Sequence, residues 1–151
     1  MQMNHVNIVT TNIERSLAFY EGIVGLQKVF EGELSGDWFE ELTSLPKAVA
    51  KCAFLQSERG GMRVELLQYI KAVGGMVPNN TQANTQGLRH IAFEVQKLDE
   101  LFERLVESGV PVKSSPVVVP FAVVGMNKRL FYAVDPDGVI VEFAEYKKIK
   151  G

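Results

Sequence analysis

The chain has a single cysteine, Cys52, among 151 residues. One thiol forms no internal disulfide and excludes every zinc site built on several cysteines. Histidine is almost as scarce, with only His5 and His90. An excess of one charge is lacking too: sixteen Lys and Arg stand against eighteen Asp and Glu, a net charge of −2. Without a basic stripe there is no electrostatic footprint of a nucleic-acid binder, so no nucleic-acid partner is expected. The longest apolar runs, such as Val117-Val118-Val119, fall far short of the roughly 20 residues that cross a bilayer, so no membrane partner is expected. The segment Met1-Gln2-Met3-Asn4-His5 has neither the basic nor the apolar part of a leader, and the expectation is a cytoplasmic protein. With 46% hydrophobic residues, the chain suits one soluble domain or two small modules sharing a core.

What is present is a repeat. His5-Val6-Asn7-Ile8-Val9-Thr10 aligns with His90-Ile91-Ala92-Phe93-Glu94-Val95 at an offset of 85 residues, with apolar matches at Val6/Ile91 and Ile8/Phe93. The match continues through Ile13 over Leu98, Leu17 over Phe102 and Tyr20 over Leu105. A second block sets Met62 to Tyr69 over Val139 to Tyr146 at an offset of 77, which puts Phe54 on Phe131 and Gly61 on Gly138. The division is then module 1 over 3–70, a Gly-, Asn-, Gln- and Thr-rich linker over 71–87, and module 2 over 88–146.

Each module reads as strand, helix, then a run of strands. Alternation in the opening strands sends Val6 and Ile8, or Ile91, Phe93 and Val95, to one face and His5 or His90 to the other. The first helix is predicted to start at a Thr11-x-x-Glu14 capping box, to carry Ile13, Leu17, Tyr20 and Val24 on one stripe, and to stop near Gly25. The second is predicted from Leu98 to Ser108, with Leu98, Leu101, Phe102, Leu105 and Val106 inward and Gly109 and Pro111 ending it. Asp135-Pro136-Asp137-Gly138 is a strong turn signal and Glu58-Arg59-Gly60-Gly61 its weaker counterpart, while Pro111 to Pro120 reads as irregular or edge structure.

The polar residues embedded in these strands carry the functional signal. Both histidines occupy one repeat position, and Glu65 and Glu142 occupy another, each inside a run that otherwise reads as buried strand. A buried carboxylate without a partner is costly or changes its pKa. Two imidazoles and two carboxylates from four strands supply partners to one another if a divalent cation sits between them. The competing reading makes them ordinary strand residues facing water, and the matched positions favour the metal.

These features resemble the vicinal oxygen chelate superfamily. The resemblance rests on the histidine opening each module, on Leu17-Ala18-Phe19-Tyr20 followed by Gly25-Leu26, and on Asp135-Pro136-Asp137-Gly138-x-x-x-Glu142. It covers the chain from about Met3 to Tyr146. That superfamily includes glyoxalase I, methylmalonyl-CoA epimerase, extradiol dioxygenases, and fosfomycin and bleomycin resistance proteins. The resemblance implies an α+β fold of two tandem βαβββ modules forming a cupped mixed sheet around a metal site, usually in a homodimer. It implies a metal held by His5, Glu65, His90 and Glu142, with Zn, Ni, Co, Mn or Fe all compatible with that ligand set.

Dioxygenases of the superfamily use two histidines and one carboxylate for iron, and bleomycin binders need no metal ligands. A full quartet points instead to proton abstraction beside a carbonyl and a metal-stabilised enediolate, the chemistry of a lyase, isomerase or epimerase. By resemblance to glyoxalase I, Glu142 or Glu65 is the base, with Glu142 preferred. The glutathione-binding positions of glyoxalase I fall on Val9 and Tyr69, and an epimerase base falls near Lys47. The expected substrate is thus a small carbonyl compound, acid or thioester. The alternatives are an antibiotic-binding or resistance protein and an iron extradiol dioxygenase.

Alternation also predicts the pocket wall. Asn7 and Val9 share a face with His5, and Ala92 and Glu94 with His90; Leu67 and Tyr69 follow Glu65, and Ala144 and Tyr146 follow Glu142. From this set Asn7, Leu67, Tyr69, Ala92 and Tyr146 are the substrate-binding candidates. The segment from Glu31 to Leu45, with Trp38 and Phe39, reads as a lid, a solvated amphipathic turn or a dimer contact. Cys52 reads as a packed thiol.

Overall fold

The computed structural model describes residues 3–75, 82–120 and 125–149. The chain divides into two compact units, Met1–Pro78 and Asn79–Gly151. Residues 76–81 of the expected linker lie outside the described residues. The first unit runs β1 (His5–Val9), α1 (Ile13–Leu17), β2 (Gln27–Leu34), α2 (Asp37–Thr43), β3 (Val49–Gln56) and β4 (Arg63–Lys71). The second runs β5 (His90–Glu94), α3 (Leu98–Glu107), β6 (Val117–Val119), β7 (Met126–Val134) and β8 (Ile140–Lys148). Their sheets are ordered β1-β4-β3-β2 and β5-β8-β7-β6. In each, the opening strand lies parallel to the closing strand and the other pairs are antiparallel. These are two tandem βαβββ modules. Among the described residues no helix is long and apolar enough to cross a membrane.

Alternation decides which face is core. In the first unit Ile8, Leu55, Val64 and Leu66 are buried on the face that receives Ile13, Leu17 and Tyr20 from the helix. In the second, Ile91, Phe131, Val141 and Phe143 are buried with Leu98, Leu101 and Leu105. The opposite face of each sheet carries the histidine and the glutamate.

The first helix begins one residue later than the capping-box pattern suggests. Asn12 is the cap: its backbone is extended, and its Oδ1 accepts the Arg15 N–H at 3.0 Å. Asparagine ranks above threonine as a helix N-cap. Beyond Leu17 the helix widens into a π-helical segment, Ala18–Ile23, with the Val24 N–H bonded to the Phe19 carbonyl at 2.9 Å. The wider turn sends the consecutive residues Phe19 and Tyr20 both inward, edge to face with ring centroids 4.8 Å apart. A stripe of 3.6-residue period cannot anticipate that pair. The helix stops as expected at Gly25, whose φ of +89° suits glycine.

In α3 the expected stripe holds for Leu98, Leu101 and Leu105, and Phe102 meets Phe131 edge-on at 5.2 Å. Val106 is a correction, being exposed: it follows Leu105 by one residue and lies beyond the edge of the buried stripe. No side chain at Lys97 caps α3. The Leu98 N–H instead donates to Oε1 of Glu145 at 3.5 Å, and in the first unit the Ile13 N–H donates to Oε1 of Gln68 at 3.0 Å. The closing strand of each module thus supplies an acceptor to its own helix, which explains a polar residue on an otherwise apolar face. Such a capping bond is worth about 1 kcal/mol.

The turns differ in length, with consequences for the repeat. Asp135 Oδ1 accepts the N–H groups of Asp137 and Val139 at 2.9 and 2.7 Å, so the second turn is tightly tied. The first turn carries one residue more. Strand register therefore places Phe54 opposite Glu65 but Tyr132, not Phe131, opposite Glu142. The sequence match of Phe54 with Phe131 is corrected: Phe131 is core, while Phe54 shares the face of Glu65.

Candidate metal centre

The structure brings His5 to Glu65 in the first unit, Nε2 to Oε2 at 3.4 Å, and His90 to Glu142 in the second, Nε2 to Oε2 at 3.5 Å. Both carboxylates are largely sequestered, with side-chain exposures of 14% and 9%. The pairs arise from parallel strand pairing, since β1 meets β4 and β5 meets β8 in one register. Among the described residues no three His, Cys, Asp or Glu side chains form one metal-holding group. Each module brings together one histidine and one glutamate.

The first pair has its protons in an informative place. Arg63 Nη2 donates to Asn4 Oδ1 at 2.5 Å, and a guanidinium can only donate, so that atom of Asn4 is an oxygen. The same oxygen lies 2.9 Å from His5 Nδ1, which must then carry the proton. Nε2 then faces the Glu65 carboxylate, as a lone pair in the neutral ring and as an N–H donor in the protonated one. With the ring neutral, the two acceptors across 3.4 Å need a cation between them; with the ring protonated, they form an ion pair. A separation of 3.4 to 3.5 Å is also what two ligands at about 2.1 Å from one tetrahedral ion would show. The residues present fit a divalent metal.

The two glutamates keep different company. Glu65 accepts the Asn7 amide at Oε2, 3.0 Å, and the Cys52 thiol lies 3.9 Å from its Oε1. Glu142 Oε1 receives the Lys128 ammonium at 3.1 Å, and Tyr132 lies opposite Glu142 in the strand register. Burial first, then the charge and hydrogen bond of Glu142, raise the Tyr132 phenol above its ordinary pKa. Burial opposes the charge on Lys128, but bonding to Glu142 and Tyr146 overcomes it and its pKa lies above the usual lysine value. Burial, followed by the Glu65 charge, pushes the Cys52 thiol up to about 11. In metal-free protein, alkylation of Cys52 by iodoacetamide is therefore expected to stay slow at pH 8 and to rise as the pH climbs toward 11. The same shift makes the thiol's contribution to stability full below pH 9 and lost between 9 and 11, because the unfolded chain releases that proton first.

An aromatic ring stands beside each histidine: Phe54 at 5.4 Å from His5 and Tyr132 at 5.4 Å from His90. Sequence reasoning missed Phe54, Tyr132 and Lys128 as residues of this face. Alternation along β3 and β7 would have revealed them only once the register across each turn was known.

The expected wall residues fall as follows. Asn7 touches Glu65 directly. Leu67 is buried beside Cys52, its register partner on β3. Ala92 is exposed on β5 opposite Glu142. Tyr146 lies under the Lys128 ammonium, 5.4 Å from its ring centroid. Tyr69 stacks on Phe39 of α2 at 5.9 Å, in a cluster with Ala48, Ala50 and Leu34. The segment from Glu31 to Leu45 is thus the end of β2 and a short helix seated on the glutamate-bearing face, with Trp38 and Leu42 turned outward.

The chain belongs to the Glyoxalase/Bleomycin resistance protein/Dioxygenase superfamily, whose sequence model matches residues 2–143. It is 27% identical over 146 residues to YwkD of Bacillus subtilis (strain 168), named as an uncharacterized protein, with 95% of each chain covered. A glyoxalase family protein from Bacillus cereus shares the fold with a TM-score of 0.85 at 23% identity, over 97% of this chain and 94% of that one. The genomically encoded fosfomycin resistance protein FosX from Listeria monocytogenes, solved with Mn(II) and sulfate, gives a TM-score of 0.60 at 19% identity, over 95% and 90% of the two chains.

Proposed function

We propose that this protein is a metal-dependent isomerase, epimerase or lyase that moves a proton on the carbon next to a carbonyl. Its ligand set is His5, Glu65, His90 and Glu142, and its substrate a small carbonyl compound, acid or thioester. The observation that carries the reading is His5 Nε2 facing the Glu65 carboxylate at 3.4 Å, with Nδ1 engaged by the Asn4 oxygen that Arg63 also binds. The second unit repeats the pair with His90 and Glu142. Superfamily membership, and Mn(II) in the FosX structure, support a divalent ion at such a site.

A divalent cation held by His5, Glu65, His90 and Glu142 would supply a Lewis acid that acidifies a C–H bond beside a carbonyl. Glu65 accepts that proton and returns it to the same or a neighbouring carbon. The partners of the two glutamates favour Glu65 over the Glu142 expected from the sequence. The Lys128 ammonium holds Glu142 in place at 3.1 Å. Glu65 is bound at 3.0 Å by a neutral amide, which lacks the full positive charge that an ammonium sets against a carboxylate. The rings of Phe54 and Tyr132 stand beside the two imidazoles, each with centroids 5.4 Å apart.

The test is proton exchange followed by NMR in D2O with 2-oxoaldehydes, 2-oxo acids and acyl thioesters. Deuterium is expected next to the carbonyl with protein loaded with Ni, Co, Zn, Mn or Fe, and not with stripped protein. Absence of exchange with every metal and every substrate class would sink the enzymatic reading. A metal-assisted resistance protein that binds or modifies a small drug, favoured by the likeness to FosX, would then replace it.

A further inference from the structure

Lys128 is a charge that the fold does not need. It projects from β7 on the face of Glu142, opposite Tyr146 in the strand register. The matching position of the first unit, opposite Tyr69, is Ala50, and the same βαβββ module forms around it. Nor does the carboxylate require it, since Glu65 is satisfied at the equivalent place by an amide. An ammonium has three donors, and one of them points to Glu142 Oε1 at 3.1 Å. With its side chain only 21% exposed and the Tyr146 ring 5.4 Å away, the ammonium is partly sheltered from water, which strengthens its pull on an anion. Glu142 is divided between two neighbours: Oε2 faces His90 and Oε1 faces Lys128. An anionic group on Lys128 therefore sits one carboxylate's width from the atoms that face His90.

We propose that Lys128 is a specificity-determining residue that selects substrates carrying a carboxylate or another small oxyanion next to the reacting carbonyl. This rests on the reading of the site as a metal-dependent carbonyl enzyme and narrows its substrates to anionic ones. The ammonium binds the oxyanion through the donors it does not spend on Glu142. An uncharged carbonyl compound leaves those donors without a partner and binds less tightly.

The experiment compares pyruvate with methyl pyruvate, which present the same two vicinal oxygens with and without the charge. Binding is read from the visible spectrum of Co(II)-loaded protein, with Co(II) content measured on the same samples. Wild type is expected to bind pyruvate the tighter of the two. Lys128→Met is expected to weaken pyruvate about tenfold or more while shifting methyl pyruvate less than about threefold. Lys128→Arg, which keeps the charge, is expected to restore pyruvate binding to within about threefold of wild type. Equal losses for both probes in Lys128→Met would make the residue merely structural and overturn the proposal, as would unchanged pyruvate binding. Failure of wild type to take up Co(II) would count against the metal reading alone. Calorimetric titration of metal-free protein with pyruvate then decides: binding lost in Lys128→Met upholds the anion site, and no binding by wild type overturns it.

Discussion

Glu65→Gln is expected to slow proton exchange at the substrate carbon by about 10²–10⁴-fold at saturating metal. The amide has the shape of the carboxylate and still offers an oxygen to the Asn7 amide, which now bonds Glu65 at 3.0 Å, so the module should remain folded. What it cannot do is take a proton. Saturating metal separates this loss from any weakening of the ion's affinity, and urea unfolding of the variant separates it from loss of the fold. Glu142→Gln, by contrast, leaves one oxygen where Glu142 offers two, Oε2 to His90 and Oε1 to Lys128, and its main effect should be on metal affinity. Exchange within tenfold of wild type in Glu65→Gln, measured by NMR in D2O, would return the base to Glu142.

Phe131→Ala is expected to cost about 3–5 kcal/mol of stability, the usual range for emptying a large aromatic from a closed core. Phe131 has no exposed surface and touches Phe102 and Phe143, at centroid distances of 5.2 and 5.4 Å. Phe54, its match in the sequence repeat, faces the other way and is only partly buried, against His5, Phe30 and the Arg63 guanidinium. Phe54→Ala should cost much less, about 1–2 kcal/mol, and should act on the position of the His5 ring instead. Urea unfolding of the two variants gives both numbers. Equal losses would contradict the one-residue difference between the two turns.

That difference shows where the sequence could be read and where it could not. The strand, helix and run of strands in each module followed from alternation, capping and turn residues, because those are local signals, whereas the short helix Asp37–Thr43 within the first run did not. The pairing of His5 with Glu65 and His90 with Glu142 was legible because a repeat shows the same polar exception twice. Lys128 and Tyr132 were not legible. Their facing depends on register across the second hairpin, and one residue more or less in a turn sends every side chain to the other face. The π-helical turn at Ala18–Ile23 escaped for a related reason: widening the helix to bury both Phe19 and Tyr20 is decided by tertiary packing. The cap moved from Thr11 to Asn12 because a string of possible caps, Thr10-Thr11-Asn12, leaves the choice to the backbone.

The most direct test of the cation site is metal content by elemental mass spectrometry after dialysis against Co(II) or Zn(II). Wild type, His5→Ala and Glu142→Ala would be run side by side, one variant in each pair. The quartet predicts about one ion per chain in wild type and a loss of affinity of about 100-fold or more in both variants. A stoichiometric ion retained by both variants, or none taken up by wild type, would contradict it.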